Sequence, residues 1–78
     1  MKSTMNLLKK LNFIAKEDNF YITAYNMING TKIRLDINKV SKEVELNNKN
    51  IGKFINQKEL AILIKDIKEN TNEWLGIK

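Results

Sequence analysis

The sequence has no cysteine, no histidine and no proline, and only one arginine and three glycines among its 78 residues. Without cysteine there is no disulfide and no thiolate to act as nucleophile or ligand. A secreted domain this short ordinarily needs such staples, so the composition points to the reducing cytoplasm. Without histidine the chain lacks the usual proton-exchanging group at neutral pH and the commonest metal ligand. Ser3 and Ser41 fall in a terminus and a turn, with no base in the pattern to activate them. Gly30, Gly52 and Gly76 are scattered, so there is no glycine-rich phosphate loop. No apolar run approaches the roughly 18–20 residues of a membrane span. The opening segment, Met1 to Lys10, has two leucines followed by charge, without a signal-peptide core. These absences lead to the expectation of no enzyme, no catalytic residue, no metal, no cofactor and no membrane partner.

What is present suits a small folded domain. Hydrophobic residues make up 42% of the chain, too many for a disordered one. With no proline and no low-complexity linker, residues 1–78 read as a single domain with one core. The formal net charge is +5. Asparagine occurs 12 times, lysine 13 times and isoleucine 11 times, and all three have A/T-rich codons. An AT-rich genome, such as that of a phage or mobile element of a low-GC bacterium, would supply this lysine load without selection for nucleic-acid binding. Arginine, the residue suited to bidentate phosphate and guanine contacts, appears only at Arg34.

The periodicity predicts a helix over residues 4–16. Ser3 or Thr4 would cap it, and Leu7, Leu8, Leu11, Ile14 and Ala15 would form its buried stripe. A strand follows over residues 20–28, with Phe20, Ile22, Ala24 and Ile28 alternating against Tyr21, Thr23, Tyr25 and Met27. Asn29-Gly30 is a strong hairpin turn signal. A two-residue turn there pairs Tyr25 with Arg34, Ala24 with Leu35, Thr23 with Asp36 and Ile22 with Ile37. That register keeps the apolar residues on one face, whereas a slip of one residue would mix the two sets. A third strand is expected over residues 42–47, with Val44 and Leu46 inward and Glu43 and Glu45 outward. Residues 47–55 read as a loop or a short irregular edge strand, and residues 50–55 as a strand remain open. Asn56 and Glu59 have the form of a capping box for a last helix that carries Leu60, Leu63, Ile64, Ile67, Thr71 and Trp74 inward. Gly76 is its stop, and Ile62 falls off its stripe. The expected fold is α+β, in the order α-β-β-β-α, with a three-stranded antiparallel sheet and two helices packed on one face.

This element order resembles that of double-stranded-RNA-binding domains, over the whole chain but as topology only. Those domains carry a lysine cluster at the start of their final helix. The same segment here reads Gln57-Lys58-Glu59-Leu60, with one lysine beside a glutamate. The resemblance therefore implies an order of elements and not an activity.

The candidate site is the sheet face turned away from the helices. Tyr21, Thr23 and Tyr25 project from one strand, with Arg34 across from Tyr25 and Lys32 across from Met27. Aromatic and arginine side chains are common interface hot spots, and rings with cations also form platforms for single-stranded nucleic acid. Asp36, Glu43 and Glu45 share this face and read as a solvated strand surface. Lys49 and Lys53, around Gly52, are candidates for phosphate contact. Ile62 with Trp74 and Leu75 would extend an apolar patch for self-association as a homodimer. The expected function is a small regulatory or inhibitory protein that binds and occludes a protein partner, with a nucleic-acid-binding regulator as the alternative.

Overall fold

The first helix ends earlier than its apolar stripe suggests. In the computed structural model, which describes residues 2–76, α1 spans Lys2–Lys10. Asn12 then takes a left-handed conformation with φ 70°. The Asn12 N–H donates to the Lys9 carbonyl at 3.0 Å, and the Phe13 N–H donates to the Leu8 carbonyl at 2.9 Å. These two bonds are the Schellman termination, in which the residue after the reversal packs back on the last helical turn. Phe13 and Leu8 are both buried. Asparagine tolerates the left-handed region better than other side chains, so it can reverse the chain where glycine is absent. The helix expected through residue 16 is thus corrected, and Ile14–Glu17 forms strand β1. Ser3 and Thr4 lie inside the first turn of α1 instead of capping it. Thr4 is buried, and its hydroxyl bonds the side-chain oxygen of Gln57.

Four more strands follow: β2 (Tyr21–Ile28), β3 (Thr31–Asn38), β4 (Glu43–Leu46) and β5 (Lys49–Lys53). The sheet runs in the order β1-β2-β3-β4-β5, with every neighbouring pair antiparallel. The α+β class fits, but among the described residues the sheet has five strands and not three, and three helices accompany it. The central register agrees with the pattern: Tyr25 faces Arg34, Ile22 faces Ile37, and Ile37 in turn faces Val44. Asn29 and Gly30, with φ 52° and 77°, supply the reversal between β2 and β3. Asn47 and Asn48, with φ 50° and 69°, do the same between β4 and β5. Two consecutive positive φ values match the twist of a two-residue hairpin. Of the two alternatives for residues 47–55, a loop or a short irregular edge strand, that second turn produces the strand. Phe20, expected to point inward, is exposed in the β1–β2 turn. There the Asp18 carboxylate accepts the Phe20 and Tyr21 N–H groups at 2.8 and 2.7 Å.

Asn56 caps α2 (Gln57–Glu69), its side chain accepting the Glu59 N–H at 2.9 Å. The last helix is not continuous. Asn70 leaves helical geometry at φ −122°, ψ 41°, and α3 (Thr71–Leu75) follows, stopped by left-handed Gly76. One sheet face, with Ile22, Ala24, Ile33, Leu35, Ile37, Val44 and Leu46, is sealed into a core with Leu8, Leu60, Ile64 and Ile67 of the helices.

Candidate partner-binding surface

Side chains alternate along a strand, so each residue next to a core position in β2, β3 and β4 emerges on the other face. No helix covers that face among the described residues. Tyr21 and Tyr25 are exposed there, as are Lys32 and Arg34, while Thr23 is half-buried. The five residues singled out from the sequence therefore share one surface.

The arrangement is laterally bonded. Arg34 lies over the Tyr25 ring at 5.7 Å from its centroid. Its Nε donates to Asp36 Oδ2 at 3.0 Å and its Nη2 to Asp36 Oδ1 at 3.2 Å. The Thr23 hydroxyl donates to the same carboxylate at 3.3 Å. This hydrogen bonding to Asp36 pushes the Arg34 guanidinium above its ordinary pKa. Asp36 is only 8% exposed although it sits on the open face, because these neighbours close around it. It faces Glu45 across the ladder, and Arg34 offsets the like-charge pair. Asn38 donates to the Tyr21 hydroxyl at 3.3 Å, and Asn50 to Glu43 at 2.8 Å. A polar concavity of about 110 Å³ lies among Tyr21, Asp36, Asn38, Glu43, Glu45 and Asn50. Among the described residues, no group of three or more carboxylates is arranged to hold a metal ion.

The sequence pattern missed two residues of this surface. Ile14 pairs with Tyr25 and Lys16 pairs with Thr23, so β1 extends the face by one strand. Ile14 is 73% exposed and Met27 62%. With Tyr25 between them they form a contiguous apolar patch. The only signal for this extension is Asn12, whose left-handed turn ends the helix before Ile14.

Lys49 and Lys53 lie at the two ends of β5 and not in a loop. An irregularity opposite Val44 and Glu45 leaves Ile51 unpaired in the register. Lys49 pairs with inward Leu46 and Lys53 with outward Glu43, so the two lysines do not share a face. Ile62 lines a groove of about 310 Å³ between α2 and β5, beside Ile51 and Phe54. Trp74 and Leu75 line a separate depression beside Thr31 and Leu46. The Trp74 indole donates to Asp66 at 2.9 Å. Among the described residues, no helix is long and apolar enough to cross a membrane. Comparison with protein families, with curated proteins and with solved structures finds no match to this chain.

Proposed function

We propose that this chain is a non-enzymatic regulatory protein that binds a protein partner and occludes its surface through the open sheet face. Tyr21, Thr23, Tyr25, Lys32 and Arg34 carry the contact, joined by Ile14 and Met27. The observation that supports this most is the uncovered apolar patch of Ile14, Tyr25 and Met27 set among charges of both signs. Interface centres combine apolar and aromatic anchors with a polar rim in this way. The composition suits an accessory protein of an AT-rich phage or mobile element, acting in the cytoplasm.

A nucleic-acid-binding regulator has less support. The only arginine is engaged by Asp36, and three carboxylates share the face with it. Such a surface is a mixed patch and not the basic stripe that tracks phosphates. Strand addition at the β5 edge has less support too. β5 carries Lys49, Lys53 and a register irregularity, which are features that discourage edge pairing.

The test is retention of a protein from a bacterial lysate by the immobilised chain. A partner held at near-stoichiometric amounts should be lost from the Tyr25→Glu, Met27→Glu variant, while the variant's unfolding midpoint stays close to that of the parent. Retention that ignores both substitutions, or no retained protein at all, overturns the proposal.

A further inference from the structure

The charge around the apolar patch carries information about what meets it. Tyr25 is the centre of the patch, with Ile14 beside it on β1 and Met27 two residues along β2. Lys16 lies diagonally to one side on β1 and Lys32 diagonally to the other on β3. Two strand spacings and four residues of rise separate the two lysines, about 16 Å between Cα positions. Both are exposed, and neither ammonium group makes a hydrogen bond or ion pair among the described residues. The third cation of the rim, Arg34, is already neutralised by Asp36. The remaining acids of the face are Glu43 and Glu45 on β4, on the far side of β3 from the patch, and Asp18 in the β1–β2 turn beyond Tyr21, whose carboxylate is held by the Phe20 and Tyr21 N–H groups. The free charge next to the patch is therefore positive on both flanks.

We infer that the segment received here is an acidic, amphipathic segment of a different protein. Its apolar side chain covers Ile14, Tyr25 and Met27, and its carboxylates meet Lys16 and Lys32. This inference rests on the reading of the open face as the partner site and specifies that partner's chemistry. Complementary rim charges speed encounter and reject wrong partners more than they add affinity. A second copy of the chain is a poor match, because it brings another net charge of +5. A nucleic acid would supply phosphates, but the patch offers one ring, Tyr25, between two aliphatic side chains, and stacking needs rings.

The experiment uses the full chain and three fluorescein-labelled probes. Two are 18-residue amphipathic peptides with the same leucine stripe, one flanked by glutamates and one by lysines. The third is a single-stranded oligothymidylate. The glutamate-flanked peptide should bind by fluorescence anisotropy at moderate salt. The Lys16→Glu, Lys32→Glu variant should weaken it by about tenfold and shift preference to the lysine-flanked peptide. The Lys49→Glu, Lys53→Glu variant, with the same change in net charge on β5, should leave the affinity unchanged. Equal loss in both double variants, no binding of the acidic peptide, or tighter binding of the oligonucleotide through Lys16 and Lys32 each overturns the inference. So does sedimentation showing a dimer that Lys16→Glu, Lys32→Glu dissolves. Retention of a lysate partner that depends on Tyr25 and Met27 but not on Lys16 and Lys32 removes the acidic chemistry and leaves the binding face standing.

Discussion

The two faces of the sheet are built from alternate residues of the same strands, yet they are stabilised differently. On the covered face Ile22, Ile33, Leu35, Ile37 and Val44 are fully buried against the helices. Their contribution is removal of apolar surface from water, roughly 1.5–3 kcal/mol per large side chain. On the open face the polar groups bond sideways to one another: Arg34 to Asp36, Thr23 to Asp36, Asn38 to Tyr21 and Asn50 to Glu43. Each such contact is partly solvated and contributes about 1 kcal/mol or less. The helix-covered side sets whether the chain folds. The other side is free to vary in side-chain chemistry, and that freedom is what a binding surface needs.

The largest test of this contrast sets Leu35→Ala against Tyr25→Ala. Leu35 is fully buried, so its truncation should cost about 2–5 kcal/mol in urea unfolding. Tyr25 is exposed and loses mainly its stacking with Arg34, which should cost about 1 kcal/mol. Equal losses would erase the distinction between the faces. Asp36→Ala should fall between them, at about 1–2 kcal/mol, because it removes the acceptor shared by Thr23 and Arg34. The lower end is expected, since the Arg34 side chain is 46% exposed. A double-mutant cycle with Arg34 measures that coupling.

A smaller effect depends on pH. Backbone N–H groups of Tyr21 and Phe20 hold the Asp18 carboxyl below its ordinary range. A depressed folded pKa stabilises the native state above the unfolded value of about 4, and that stability is lost as pH falls through the lower folded value. Asp18→Asn should therefore lower the melting temperature at neutral pH, where the ionised carboxylate is in place, and change it little in acid, so that the acid limb flattens. Smallest of all, Ile14→Lys and Met27→Lys should shift the unfolding free energy by no more than about 0.5 kcal/mol, measured in urea. A larger loss would mean that the exposed patch belongs to the core.

The central hairpin was legible because two independent signals coincide there. Asn29-Gly30 fixes the turn, and parity then separates apolar from polar residues along both strands. The pattern alone thus puts Tyr21, Thr23, Tyr25, Lys32 and Arg34 on one face. Of the two edge strands, β1 was not legible and β5 was left open between a loop and an irregular strand. Leu11, Ile14 and Ala15 continue the helical spacing of Leu7 and Leu8, so periodicity alone carries the helix six residues too far. β5 is short, and Gly52 and the irregularity at Ile51 break its alternation. Both strands are reached through left-handed asparagines, Asn12 and the Asn47-Asn48 pair. In a chain with 12 asparagines those turn residues do not stand out as an Asn-Gly step does. Ile14 and Lys16 were lost from the candidate surface for the same reason.

The strictly sequential strand order also bears on how the chain assembles. Its connections are three, two, four and two residues long, so each pairing closes a short loop at little entropic cost. Hairpins of this kind form within about 1–10 μs. Docking of α1 on α2 is different, since it joins Ser3 and Thr4 to Gln57, 54 and 53 positions away in the sequence. The sheet can therefore zip outward from its middle while the terminal helices clasp last. With no prolyl bond to isomerise, refolding is expected to finish in a single fast phase.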